Sequence, residues 1–537
     1  MSESHRNRPS GKVELKDVVV ALAFGALALV EYVKARSACG GEYVYPIDDT
    51  YIHMVMAKTL AVNGVWGVEP GKLAFCSSSP LWTLILGGLY FVFGVADVLP
   101  WLLALGFNIA SLFLVSRALG RLGASVCWQL GGAAAVAVAG PFLCTTALGM
   151  EHALHAFCLI GAVVAASGIV GGSNRRLHVA TLLAAAATAS RYESLFVLGP
   201  LAAGLIGLET HEQWRRRERI LPWRGVVFGL AAVLPVFVYG LWAVSQGGHF
   251  LPNSLLLKGS FRTFWGIVRE IEHLLASVRP GCGFLYLLFL TLAAAGSLRR
   301  TPLFWRIAAG SVMVAIVAQL VFADVGQLCR YEAYLTSLGA FVAIAAVVSA
   351  GGFGRAPLAY LPIGVFAWTA FVFWMRAERA FGEAVHSSSD ICNQQVLMTR
   401  IMSGLPEEDR GCVALNDLGY MAMYGGFPIV DFWGLGSQDA TELMLKHPGH
   451  WIREDYDKLI SDHDVKYLVV FEKWYPNRLM PYDTVDVAKL ILKDNFACGA
   501  DTVVFRATSE EYAERLHRHL SKYVDKMPPR ATLKLVR

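Results

Sequence analysis

Two adjacent carboxylates, Asp48 and Asp49, are the residues of this sequence best suited to chemistry. They open the segment YPIDDTYIHMVMAKTL at 45–60, which lies between two long apolar tracts. A carboxylate can act as a general base that removes a proton from a hydroxyl group. An aspartate can also cap the helix that follows it, which explains one aspartate better than two. We predict Asp48 as the base and Asp49 as the group that orients the helix or holds an acceptor, with these roles open to exchange.

Three basic residues, Arg191, Lys258 and Arg330, are the candidates for binding a phosphate group. Arginine forks and lysine ammonium groups bind phosphate oxygens, and fixed cations stabilise charge that develops in a reaction. Each residue also has a structural alternative. Arg191 can pair with Glu193, Lys258 can extend its chain towards the lipid interface, and Arg330 can serve with Tyr331 as an interfacial anchor.

Further polar residues beside the apolar tracts are candidates for substrate binding. The alternative for the glutamate is pairing with a helix N-terminus, and the alternative for the asparagine is a turn after Pro252. No spacing typical of metal ligands is found in the sequence. The candidates are Tyr51, His53, Glu151, His152 and Asn253.

Composition indicates the elements that must position these residues. Of the 537 residues, 55% are hydrophobic and only 17% are charged, against about 25% charged in an ordinary soluble domain. Together with apolar runs of about 20 residues, this deficit predicts a polytopic, all-α membrane protein. The N-terminal apolar tract is long enough to remain as a span and is not followed by a convincing cleavage site. About eleven spans are expected, at 17–36, 100–117, 125–143, 152–170, 177–190, 194–209, 225–244, 282–298, 307–323, 332–350 and 357–375.

Basic clusters orient these spans, because cytoplasmic loops are enriched in Lys and Arg. Placing the clusters in the cytoplasm puts the first loop, residues 37–99, and all the candidate site residues on the opposite face. The apolar tract at 79–95 is then interpreted as an interfacial or re-entrant helix, and the alternative is that one of the short spans is false. Residues 45–60 are predicted to form a helix on the bilayer surface.

Two domains are expected from these patterns. Residues 1–376 form the transmembrane catalytic domain, and residues 377–537 form a soluble extracytoplasmic α/β domain. VKYLVVF has the β-branched composition of a buried strand, and GCVALNDLGYMAMYGG and FPIVDFWGLGS each predict a strand, a turn and a short helix. The ten cysteines permit disulfides on an oxidising side of the membrane, but their pairing is open.

The first loop resembles the signature of the GT-C class of integral-membrane glycosyltransferases. The similarity is greatest to the branch that contains the mycobacterial terminal arabinofuranosyltransferase. The residues that carry it are DDTYI at 48–52, EPG at 69–71 and SPLW at 79–82. GMEHAL, HFLPNSLLLKG and NDLGYMAMYGGFPIVDFWGLGS are similar, in the correct order, to later motifs of the family. The chain departs from the branch at VMA, residues 55–57, where Arg-Tyr-Ala is usual.

This resemblance implies an inverting glycosyltransferase that takes a sugar, arabinofuranose first, from a polyprenyl-phosphate donor. The acceptor is a hydroxyl group of an extracytoplasmic glycan, lipid or protein. No cofactor is required, although a divalent cation is left open, and no nucleic-acid partner is expected. The implied location is the bacterial cytoplasmic (inner) membrane, in contact with its lipids, with the active site and the C-terminal domain on the periplasmic side.

Other functions remain as alternatives. One is a GT-C enzyme that uses another lipid-phosphate sugar. A transporter or flippase would carry charged residues or broken helices at the middle of the membrane, whereas most ionisable residues here lie at span ends. Glu31, inside the first span, is the exception. A noncatalytic scaffold that displays the C-terminal domain is the third alternative.

Overall fold

A computed structural model of the chain describes residues 14–169, 172–217, 222–258, 281–352, 360–446, 452–475 and 483–536. Its first part is helical. The helices before the long gap are α1 Leu15–Ala38, α2 Asp49–Asn63, α3 Pro80–Phe93, α4 Leu99–Arg121, α5 Val126–Ala139, α6 Phe142–Leu148, α7 His152–Ala166, α8 Asn174–Ser190, α9 Ser194–Arg216, α10 Trp223–Ser245 and α11 Asn253–Lys258. The helices after residue 280 are α12 Gly283–Ser297, α13 Leu303–Phe322, α14 Ala333–Ser349, α15 Tyr360–Ile391 and α16 Leu397–Ser403.

Among the described helices, five are long and apolar enough to cross a membrane: α1, α4, α9, α10 and α13. The pair α5 and α6, bent by 51°, raises the number to six if it forms one span. These are fewer than the eleven spans expected from the sequence. Helices form in the other predicted tracts, but α7, α12 and α14 have only 15 to 17 residues, short of the ~20 needed to cross the hydrocarbon core.

The buried side of α10 is rich in glycine and alanine, and many of its large apolar side chains turn outward. In α10, Leu230, Leu234, Val238 and Leu241 are all more than half exposed. Such a surface is unfavourable in water and is the normal exterior of a helix in lipid. The chain is an integral membrane protein with several apolar spans.

The first loop folds back against the bundle through α2 and α3. The αL conformation of Gly64 ends α2, with φ at 68°, and Pro80 begins α3 at a position that needs no backbone donor. The expectation of a surface helix at 45–60 is wrong, because every residue from Thr50 to Ala57 is buried. One side of α2 packs on α3, and the C-terminal domain covers the other.

The C-terminal part is a mixed α/β domain, as the sequence predicts. Its six strands are β1 Cys412–Leu415, β2 Ile429–Asp431, β3 Val465–Val470, β4 Val485–Leu492, β5 Thr502–Ala507 and β6 Ala531–Leu535. Their order is β2-β1-β3-β5-β4-β6, with β2, β1 and β3 parallel and the remaining pairs antiparallel. The helices here are α17 Gly419–Tyr424, α18 Gln438–Lys446, α19 Arg453–Asp462 and α20 Glu510–Leu520.

The two parts of the chain share one hydrophobic core. Buried residues of the first loop, such as Met54 and Phe75, belong to the same cluster as Leu415, Tyr467 and Phe505 of the sheet. Helix α15 runs without a break across the boundary expected at 376/377. That boundary stays a prediction, and the shared core fixes the sheet domain against the end of the bundle where the first loop lies.

Candidate active site

The carboxylates of Asp48 and Asp49 face different surroundings although the residues are adjacent. Asp48 precedes α2 as its N-cap residue, and Asp49 is the first residue of the helix. Successive residues of a helix project about 100° apart. One carboxylate therefore meets the sheet domain, while the other lines a cavity in the helical part.

Asp48 binds the N-terminus of α17. Its Oδ2 accepts a hydrogen bond from the Gly419 amide at 2.5 Å and its Oδ1 accepts one from the Tyr420 amide at 2.8 Å. A Cβ on Gly419 would lie 2.2 Å from the Asp48 carbonyl oxygen, so only glycine permits this approach. Burial raises the pKa of Asp48 to about 6, and the backbone donors oppose that shift.

Asp49 forms an ion pair with Arg330, whose Nη2 lies 2.8 Å from Asp49 Oδ2. The same nitrogen donates to Gln327 Oε1 and to the Tyr331 hydroxyl at 3.0 Å. The other donors of Arg330 are poorly satisfied in the described part of the chain: Nη1 meets only the Met150 sulphur at 3.6 Å, and Nε has no partner. Arg330 thus holds Asp49 and keeps donors for a further oxygen ligand.

Arg191 is committed to two carboxylates. Its Nη1 donates to Glu151 Oε1 at 2.7 Å and its Nη2 to Glu193 Oε1 at 2.6 Å. The neighbouring glutamates raise the pKa of Arg191 although burial acts against them, so it remains a cation. Its guanidinium lies 5.8 Å from the ring centre of Tyr331, the ring that Arg330 also contacts at 4.8 Å.

Two histidines accompany Glu151, which is fully buried. His53 Nε2 lies 3.5 Å from Glu151 Oε2, and its Nδ1 lies 3.4 Å from the Ser77 hydroxyl. Burial lowers the pKa of His53, so the ring is neutral near pH 7. His152 Nε2 is 3.9 Å from Glu151 Oε1, too far for a hydrogen bond.

A cavity of about 480 Å³ brings several of these groups together. It lies where α2, α9, α11 and α14 begin and where α8 and α13 end. Serine, aromatic and aliphatic side chains complete its wall. Its charged and histidine side chains are Asp49, His53, Arg191, Glu193, Asp324 and Arg330.

The remaining predicted residues lie away from this cavity or outside the described side chains. Tyr51 is buried on the Asp48 side, where its hydroxyl accepts a hydrogen bond from the Tyr45 amide. The Asn253 amide donates to Leu435 O at 3.2 Å and to Thr441 Oγ1 at 3.0 Å, which ties α11 to the sheet domain. Lys258 ends α11, but its side chain lies outside the described atoms.

Sequence reasoning missed several residues of the site. It treated Tyr331 only as a neighbour of Arg330, whereas the ring lies close to both arginines. It also gave Gly419 and Tyr420 no role, because nothing in one sequence links residues so distant from Asp48. Within the described residues, no group of three or more His, Cys, Asp or Glu is arranged to hold a metal ion, and cofactor dependence stays a prediction.

Comparison with solved structures shows the fold. ArnT from Cupriavidus metallidurans, bound to undecaprenyl phosphate, aligns with a TM-score of 0.54 at 12% identity and covers 93% of this chain and 99% of its own. An oligosaccharyltransferase from Archaeoglobus fulgidus, in its apo form, aligns at 0.47 and 11% identity, over 95% of this chain and 78% of its own. The arabinofuranosyltransferase AftD from Mycobacteria aligns at 0.42 and 13% identity, over 91% and 41%.

Only the ArnT score is high enough to carry the fold assignment, and at that identity it carries the fold alone. Residues 390–515 match a domain of unknown function, DUF8728. A search of curated proteins finds no significant match. The chain has a GT-C-like fold: a mostly helical membrane part followed by a mixed α/β domain.

Proposed function

We propose that this protein is an inverting glycosyltransferase that moves a sugar from a polyprenyl-phosphate donor to an acceptor hydroxyl on the extracytoplasmic face. The observation that carries the proposal is the Asp49–Arg330 pair on the wall of a 480 Å³ cavity. A carboxylate that can accept a proton and an arginine that can bind a phosphate are the two groups that this reaction needs. The shared fold of ArnT, which binds undecaprenyl phosphate, supports the donor class.

Asp49 is the better candidate for the base. Both oxygens of Asp48 accept backbone hydrogen bonds from α17, so taking a proton from a substrate would break the contact with the sheet domain. Asp49 instead lines the cavity. Its partner there is Arg330, and the ionised carboxylate of an aspartate is the form that accepts a proton.

Arg330 is the better candidate for the phosphate ligand, since both terminal nitrogens of Arg191 already bind glutamates. With one nitrogen on Asp49 and other donors towards the leaving phosphate, the guanidinium would set the base and the leaving group a fixed distance apart. Inversion in one displacement needs the base and the leaving group on opposite faces of the sugar. Stabilising the departing phosphate removes the need for a general acid.

The identity of the donor sugar is proposed from the sequence resemblance alone, which favours arabinofuranose. The acceptor is open among an envelope glycan, a lipid and a protein. The test is to incubate the purified full-length protein with synthetic polyprenyl-phosphate sugars and cell-envelope acceptors, and to identify products by mass spectrometry. Product from one donor with wild type, and none with Asp49→Asn, would support the proposal. No product from any donor would overturn it.

A further inference from the structure

Two cysteines meet where the helical part joins the sheet domain. Cys39 is the C-cap residue of α1, and Cys392 follows α15 as the first residue of a π-helical turn, Cys392–Val396. Helices α1 and α15 pack side by side. The Cys39 thiol donates to the carbonyl oxygen of Ser388 at 3.3 Å, one helical turn before Cys392. Neither cysteine belongs to the cavity that contains Asp49.

Through its contact with Ser388 O, the Cys39 thiol lies beside the turn that carries Cys392, and the two thiols interact. This contact raises the pKa of Cys39 and lowers that of Cys392, to which nearby Arg400 also contributes. The thiolate is the reactive form of cysteine, so Cys392 is the more reactive member of the pair. It is partly exposed while Cys39 is buried, so a reagent can reach the pair from the side of Cys392.

We propose that Cys39 and Cys392 form a reversible disulfide that links the end of α1 to the turn after α15, which leads into the sheet domain. The oxidant is a disulfide, such as that of a thiol oxidase on the outer side of the membrane. The Cys392 thiolate attacks one sulphur of that disulfide and releases the other as a thiolate. The Cys39 thiolate then attacks the Cys392 sulphur and releases the first. Two cysteine thiols lose two protons and two electrons, and the oxidant gains two thiols.

The position of this disulfide gives it a structural consequence. Within the same π-helical turn, the Gln394 amide donates to Ala500 O at 2.9 Å and the Gln395 amide donates to Asp417 Oδ2 at 2.5 Å. These bonds connect the turn to the sheet and to the loop that precedes α17. Closing the disulfide would fix this segment against α1, and reduction would leave it held by noncovalent contacts alone.

Counting thiols tests the inference on the full-length protein in membranes. Samples are treated with oxidised glutathione or with reductant, denatured, and labelled with a maleimide-polyethylene glycol that retards the protein in a gel once per free thiol. Wild type, with its ten cysteines, is expected to take ten labels after reduction and eight after oxidation. Cys392→Ser should take nine labels in both conditions, whereas Cys39→Ser should take nine after reduction and lose one after oxidation, because glutathione stays on the unresolved Cys392 sulphur.

The control is Cys498→Ser, which removes a buried cysteine of the sheet domain and should still lose two labels on oxidation. Mass spectrometry of nonreduced wild type should find the Cys39 peptide linked to the Cys392 peptide, a readout independent of how the variants fold. Ten labels on oxidised wild type would overturn the inference. So would the loss of two labels in Cys39→Ser, because another pair would then be responsible.

Discussion

At the scale of single residues, the proposal assigns proton transfer to Asp49 rather than to Asp48. Asparagine at position 49 keeps an acceptor for Arg330 but cannot take up a proton. We expect Asp49→Asn to lower turnover by at least about 100-fold, the usual contribution of a general base, and to lower the melting temperature without preventing folding, because the buried Arg330 loses its charged partner. Product formation measured by mass spectrometry, beside a melting curve in detergent, checks this. Turnover near that of wild type would mean that Asp49 is not the base.

The two arginines should respond differently to the same substitution. Lysine keeps the charge but loses the planar fork. Because Arg330 has donors left for a ligand, Arg330→Lys should raise the KM for the donor about tenfold, as expected for one weakened charged hydrogen bond. Arg191→Lys should mainly lower the melting temperature, because Glu151 and Glu193 lose a shared partner in a buried site. Steady-state kinetics with varied donor, beside melting curves, separates the two. An unchanged KM in Arg330→Lys would contradict the phosphate assignment.

The sequence predicted which residues lie together at the candidate site, but it did not predict which role each of them has. The types and positions of Asp49, Arg191 and Arg330 identified them as a group at the span ends, and all three line one cavity. The sequence suggested that Arg191 pairs with Glu193, and the structure shows this pair, but it revealed neither the second contact of Arg191 with Glu151 nor the contact of Asp48 with α17. Both facts depend on contacts between segments far apart in the chain.

At the scale of elements, the junction of α2 and α17 requires a glycine. A methyl group on Gly419 would overlap the backbone and carboxylate of Asp48, and moving α17 away would leave buried amides unpaired. We expect Gly419→Ala to destabilise the protein by about 1–3 kcal/mol, measured as a lower melting temperature. Gly382→Ala is the matched control, because no atom lies within 4 Å of its added carbon. Equal melting temperatures for both variants would show that the junction tolerates a side chain.

The same junction should make stability depend on pH. Burial raises the pKa of Asp48 from 3.8 to about 6. Folding therefore favours its protonated form, and this stabilising contribution is present below about pH 4 and lost as pH rises through 6. Asp48→Asn removes the titration, so the melting temperature of wild type relative to the variant should fall between pH 4 and pH 7. A difference that is constant over this range would show that Asp48 does not titrate there.

At the scale of the whole molecule, the sequence predicted the membrane class and the sheet domain better than the number of spans. The patterns that indicated β1, β2 and β3 are local. Strands β4, β5 and β6 went unnoticed because their antiparallel pairing joins segments distant in sequence. The count of eleven spans stays a prediction, because among the described helices five, or six with the bent pair, are long and apolar enough to cross a membrane. The burial of α2 was missed because a single sequence does not show which domain will cover a helix.

The orientation of the molecule is predicted from its charges and can be measured directly. Basic residues at 175–176 are predicted to face the cytoplasm, while the sheet domain is predicted to face the outside. Arg175→Cys and Glu514→Cys, both at exposed positions, place a thiol on each side of the membrane. The background carries Cys127→Ser, Cys329→Ser and Cys392→Ser, which remove the native thiols that are exposed or partly exposed. In intact cells, a membrane-impermeant maleimide should label Glu514→Cys at once and Arg175→Cys only after the membrane is permeabilised. The reverse pattern would place the Asp49 cavity on the cytoplasmic side and remove the extracytoplasmic reaction, because the cavity and the sheet domain lie at the same end of the helices.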